Sequence, residues 1–139
     1  MNPVCEDVRD MMIDSSLAIG EFAATTGWSI HLTIMPDDDN TPDTCIAILD
    51  TGGSSPDPDP SKNIGNPTFQ VLLRGAKMGY QAAWDKMREV LVGLHGKHNE
   101  IWNGTRYISI FATSDILSLG YDESKRPLLS LNFSVMRTE

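Results

Sequence analysis

The chain has 139 residues and a mass of 15.3 kDa, long enough for one domain to bury a core without disulfides or metal. Apolar residues make up 40% and charged residues 22%, and no apolar run approaches the roughly 18 residues that a membrane span requires. A net charge of -8 argues against sequence recognition of nucleic acid, because phosphate binding calls for a basic face.

The charge is unevenly distributed. Residues 1–59 hold 12 acidic side chains and one basic, Arg9, whereas residues 60–139 hold 7 acidic and 10 basic. Two explanations stand: an acidic loop arising by chance, or acidic and basic faces that meet between copies in an assembly. The acidic start, Met1 to Asp7, does not resemble a signal peptide, so synthesis in the cytoplasm is expected. Cys5 and Cys45 then read as small buried or half-buried thiols in a reducing compartment, and the sequons at Asn103 and Asn132 carry no weight.

Asn2 before Pro3 opens a predicted N-terminal helix, Asn2 serving as its cap. Val8, Met11, Met12, Ser15 and Ile19 fall on one face of it, and Gly20 or Gly27 can end it. Residues 28–35 alternate as a half-buried strand stopped by Pro36, and residues 44–49 form a second strand. The acidic connection Asp37-Asp38-Asp39-Asn40-Thr41-Pro42-Asp43 predicts an antiparallel hairpin between them. Residues 51–66, rich in Gly and Pro, predict a long extended loop within the single domain 1–139.

Residues 68–74 predict a third strand. Tyr80, Ala83, Trp84, Met87, Val90, Leu91 and Leu94 then share one face of a helix. A loop around residues 96–104, a strand at 107–113, a second loop around residues 120–127 and a strand at 128–136 complete the order α-β-β-β-α-β-β. The pattern predicts an α+β fold: a mostly antiparallel twisted sheet of about five strands with two helices packed on one face.

Asp50-Thr51-Gly52 is the signature of an aspartic protease carboxylate. That chemistry needs two such carboxylates sharing a proton, so one motif per chain demands a dimer. Here the motif runs into Gly53-Ser54-Ser55-Pro56-Asp57-Pro58-Asp59-Pro60, and two amphipathic helices do not suit the all-β protease fold. His95 and His98 are separated by Gly96 and lack neighbouring ligands; His31 is no better a ligand candidate. Ser54 and Ser55 lack a nucleophile elbow, and Gly52-Gly53 lacks the helix and Lys of a phosphate loop. No catalytic, metal or cofactor residues are assigned.

Six pieces in order cover about residues 5–137. They are Asp50-Thr51-Gly52-Gly53 with Pro56 and Pro58; Asn66-Pro67-Thr68-Phe69-Gln70-Val71 with Arg74-Gly75; Tyr80 to Ala83; Tyr107-Ile108; Leu119-Gly120-Tyr121-Asp122; and Arg126-Pro127-Leu128 with Ser130-Leu131-Asn132-Phe133 and Val135-Met136-Arg137. Together they resemble the tail terminator proteins of long-tailed bacteriophages, in a branch often labelled minor capsid protein. The resemblance implies a non-catalytic ring of six copies without a cofactor, located in the virion at the head-proximal end of the tail. Such a ring caps the tail tube and stops its growth. Its partners are further copies of the chain, the major tail tube protein and the head-tail connector.

A head-completion or connector protein is the nearest alternative, and a dimeric protease using Asp50 the enzymatic one. A monomeric binding module, with the Pro-rich loop as ligand for an aromatic groove, is a third class. Under the ring reading, Asp50 ends a strand and Gly52 and Gly53 turn the chain outward. Asp50, Gly52, Gly53, Asp57, Asp59, Arg74, Tyr121, Arg126 and Arg137 are the expected contact residues. The loop 54–66 would reach a neighbour or the tube, and the three arginines would pair with acids across the interface or face the lumen.

Overall fold

The computed structural model describes residues 1–14, 28–55, 58, 59, 61 and 63–138. In chain order the elements are α1 (Val4–Asp14), β1 (Ser29–Leu32), β2 (Cys45–Ser54), β3 (Ile64–Arg74), α2 (Tyr80–Leu94), β4 (His98–Trp102), β5 (Thr105–Ala112), β6 (Leu117–Tyr121) and β7 (Pro127–Thr138). The class is α+β, as the sequence pattern predicts, but the sheet has seven strands where about five were expected. Their order is β1-β2-β3-β7-β5-β4, with β6 also on β7.

The strand registers put Ile46 and Ile48 of β2, Phe69, Val71 and Leu73 of β3, and Leu129, Leu131 and Phe133 of β7 on one face. Phe69 and Phe133 are direct cross-strand partners, stacked with centroids 4.9 Å apart. Both helices pack against this sheet and touch each other. Helix α1 contributes Val4, Cys5, Val8, Met11 and Met12, and α2 contributes Ala83, Met87, Val90 and Leu94. Each fully buried Val, Met or Leu among these stabilises the fold by about 1.5–3 kcal/mol before entropy is charged.

The buried stripe of α2 is narrower than predicted. Tyr80 and Trp84 stand at its exposed flank, 38% and 36% accessible, and Leu91 is only partly covered. In α1, the predicted positions Ser15, Ile19, Gly20 and Gly27 lie outside the described residues.

The hairpin expected between the first two strands is replaced by a parallel pair, with Ser29 beside Cys45 and Leu32 beside Ile48. A parallel pair requires the connection to run back along the sheet. Cys45 and Ala47 point away from the helical face yet are fully buried, and Arg74, the partner of Cys45, holds the returning segment by its carbonyls. The first strand is also shorter than 28–35.

The extended loop expected at 51–66 is shorter than predicted, because β2 continues to Ser54 and β3 begins at Ile64. A bulge between Asp50 and Gly52 lets the ladder resume at Gly52–Thr68, Gly53–Pro67 and Ser54–Asn66. Two strands, β4 and β6, lie where the sequence predicts loops, whereas β5 matches the strand expected at 107–113. β4 and β5 form a hairpin around Asn103-Gly104, both at positive φ, 51° and 81°, which is the dipeptide that favours a two-residue turn. β6, too short and too exposed to show a buried alternation, pairs with the start of β7.

Candidate functional site

The Asp-Thr-Gly motif is a tertiary helix cap. Asp50 follows Ile48 on the helical face, and its Oδ1 accepts the backbone N–H of Cys5 at 3.0 Å in the first turn of α1. The Cys5 thiol donates to Oδ2 at 3.3 Å. A carboxylate at a helix N-terminus satisfies an orphan N–H and meets the positive end of the helix dipole. Burial first, and then the Asp50 carboxylate, push the Cys5 thiol up to about 11. Asn2, expected to cap this helix, instead offers its carbonyl to Arg137 Nη1 at 2.8 Å.

Deeper along α1, the fully buried Asp7 accepts the Tyr107 hydroxyl and, at 2.7 Å, the Asn103 amide, which also reaches Asp10 at 2.9 Å. Arg137 Nη1 lies 3.4 Å from the same Tyr107 oxygen. Burial, reinforced by Asp7, raises the Tyr107 phenol well above its ordinary range, so it stays a donor. A buried carboxylate tolerates that position only with such partners.

At the far end of the sheet Arg126, with a side chain 6% exposed, gathers three carboxylates: Asp122 at 2.8 Å, Asp43 at 3.0 Å and Asp37 at 3.1 Å. Asp37 above all, then Asp43 and Asp122, hold its guanidinium above the ordinary value against the cost of burial. The Asp37 carboxyl is correspondingly held low by Arg126. Burial would raise Asp122, but hydrogen bonds from the Arg126 backbone and guanidinium outweigh it, leaving that carboxyl below its usual value. Beside this node Arg74 donates to the carbonyls of Asp43 and Pro42 at 2.8 and 3.1 Å. At these ties the acidic first half meets the basic second half inside a single chain.

The nine expected contact residues therefore form two groups. Asp50, Gly52, Gly53, Asp59 and Arg137 gather at one end, where Gly52, Asp59 and Arg137 line an open cleft with Ser54, Asn63 and Asn66. Asp59 there accepts both the N–H and hydroxyl of Ser61, whose side chain leads in lowering its carboxyl. Asp57 lies outside the described residues. Arg74, Arg126 and Tyr121 belong to the opposite end; the arginines are buried under the acidic loop, while Tyr121 is 51% exposed.

The histidines make local bonds. His95 Nδ1 accepts the Ala112 N–H at 2.9 Å, His98 pairs with the Gly96 carbonyl and His31 with Ser29. No group of three metal-ligating side chains occurs among the described residues. The residues that sequence reasoning missed are Asp37, Asp43 and Asp122 as partners of Arg126. Only the spacing of Asp122 and Arg126 across a turn hinted at one of them.

A sequence model described as bacteriophage tail terminator protein matches residues 15–138, from just after α1 to the end of β7. The chain belongs to the bacteriophage tail terminator family. No curated protein matches it. The tail terminator is a structural component of the phage tail, and thus of the virion, and its interactions are with other tail components. In this terminator Asp50 serves a structural purpose, and no helix among the described residues is long and apolar enough to cross a membrane.

Proposed function

We propose that this terminator closes as a ring of six copies on the head-proximal end of the tail tube, ends tube polymerisation and presents its outer surface to the head-tail connector. The family match over residues 15–138 carries this reading. The internal ties agree with it. Arg126 and Arg74 fix the acidic loop, and Asp50 and Arg137 fix α1, so a firm body offers its exposed strand ends to neighbours. Of the expected contact residues, Gly52, Gly53, Asp57, Asp59 and Tyr121 touch partners directly, whereas Asp50, Arg74, Arg126 and Arg137 support the surface from beneath. A closed ring of identical chains needs two different complementary patches on each copy. The protein is made in the cytoplasm of the host bacterium and retained in the finished virion.

The test is tail length. Polymerising tube protein should stop at uniform length when the terminator is added, and tubes measured by electron microscopy should stay overlong without it. Tubes of the same length distribution with and without the protein would refute the assignment.

A further inference from the structure

Two strand edges are left open at opposite corners of the sheet. β1 covers β2 only from Cys45 to Ile48, so the edge of β2 at Thr51 to Ser54 pairs with nothing beyond β3 among the described residues. β6 pairs with β7 alone. Neither edge carries a charge or a proline to block strand addition, and each bears a single register shift, between Asp50 and Gly52 and between Ser118 and Gly120. Thr51, Gly52, Gly53, Ser54 and Ser55 carry no charge, and Leu117, Ser118, Leu119, Gly120 and Tyr121 carry none either. Leu117, Leu119 and Tyr121 are 55%, 51% and 51% exposed, an apolar edge offered to solvent. β4, the other outer strand on this side, is guarded by His98 and Glu100, with a Lys97–Glu100 ion pair.

We infer that the ring closes by sheet extension, the β6 edge of one copy pairing antiparallel with the Thr51–Ser54 edge of the next; this rests on the ring reading given above. Strand directions fit. β2, β3, β7 and β6 alternate antiparallel, so β6 runs opposite to β2, and a following β2 in the same orientation continues the alternation. The lengths fit as well, five residues against four or five.

The offset explains closure. Gly120 lies opposite Leu128 of β7, whereas Gly52 is opposite Thr68, which is opposite Ser134, six residues further along β7. At about 3.4 Å per residue the two edges are staggered by roughly 20 Å. Joining them repeatedly tilts the strands against the ring axis, and tilt with a fixed stagger is what closes a sheet on itself. Gly52 and Gly53, without side chains, admit a neighbouring backbone closely.

The test joins the two edges covalently. Ser118→Cys is combined with Thr51→Cys or with Ser54→Cys and treated with a short bismaleimide, with the protein alone at high concentration and beside polymerised tail tube. The two positions are on opposite edges of one sheet and cannot be linked within a copy, and native Cys5 and Cys45 are buried. The expected result is a ladder of linked multimers from at least one pair and only monomer from each single variant. Leu119→Lys, a solvent-facing change, should keep the thermal midpoint of the monomer and lose the ring. A wild-type ring with no linked multimers from either pair, or a ring of unchanged mass in Leu119→Lys, would overturn sheet extension and leave the ring reading intact. No ring from wild-type protein under either condition would overturn both.

Discussion

Asp50 and Cys5 are 45 residues apart in sequence and 3.0 Å apart in space, with the carboxylate on the backbone N–H of the first turn of α1. The bond turns a protease-like motif into a clamp between the sheet and the N-terminal helix. Asp50→Ala should cost about 1 kcal/mol, the usual worth of a helix cap, or about 4 °C of melting temperature at this chain length. Asp50→Asn should lose less, because the amide oxygen still accepts the Cys5 N–H while the weak thiol bond and the charge-dipole attraction are lost. Urea midpoints for the two variants give the ordering, and an unchanged midpoint for Asp50→Ala would contradict the clamp.

Arg126→Met should be the more damaging change. It leaves Asp37, Asp43 and Asp122 facing one another without their common cation. Removing one partner of a buried ion network costs about 3 kcal/mol or more, and here the more exposed Asp37 and Asp43 keep the loss near the lower figure. Asp37→Asn alone should leave the urea midpoint almost unchanged, since Asp37 is 70% exposed and its pairing is screened by solvent. Limited proteolysis of the segment 33–44 should accelerate in Arg126→Met and stay slow in Asp37→Asn.

Acid should loosen the same loop. Asp37 and Asp122 have carboxyl groups held below the ordinary 3.8. A depressed folded value means the folded state binds fewer protons, so this stabilisation is complete above the unfolded value and disappears as pH falls through the lowered one. The terminator should therefore hold its urea midpoint down to about pH 4 and lose it below that. In Arg126→Met the acid-dependent part should shrink but not vanish, because the backbone bonds to Asp122 and the Ser61 bonds to Asp59 remain. At the alkaline end the sign reverses for Cys5, raised from 9.0 to about 11, whose contribution is present below pH 9.0 and fades above it.

Gly52 and Gly53 both hold positive φ, 90° and 115°, but only Gly53 is crowded. A Cβ on Gly53 would sit 2.3 Å from the Asn66 carbonyl oxygen, whereas one on Gly52 meets nothing within 4 Å. Gly52→Ala should cost about 1–2 kcal/mol of backbone strain, and Gly53→Ala clearly more, because the clash is with backbone that cannot give way. Equal thermal midpoints for the two variants would refute the packing of this bulge.

Much of the fold was legible locally. The period of α2 predicted its bounds and its buried Ala83, Met87, Val90 and Leu94, and alternation predicted β3 and β7 to within a few residues. The exposed side of the same helix was not legible. Tyr80 and Trp84 fit the apolar stripe, but the sheet beneath α2 reaches only part of its arc. The Gly-rich end of β2 looked like a loop because its ladder is restored by a bulge, which depends on β3 lying alongside.

The sequence by itself determined where α2 and most of the strands form, that the chain carries the ordered motifs of tail terminators, and that no familiar catalytic spacing is present. Those are properties of neighbours along the chain, set by side-chain period and turn chemistry. Only the tertiary structure decided that β1 runs parallel to β2, that Asp50 caps α1, and that Arg126 binds an aspartate 83 residues away. These relationships join segments whose separation is fixed by how the sheet is ordered, and no local pattern encodes which distant carboxylate an arginine will meet.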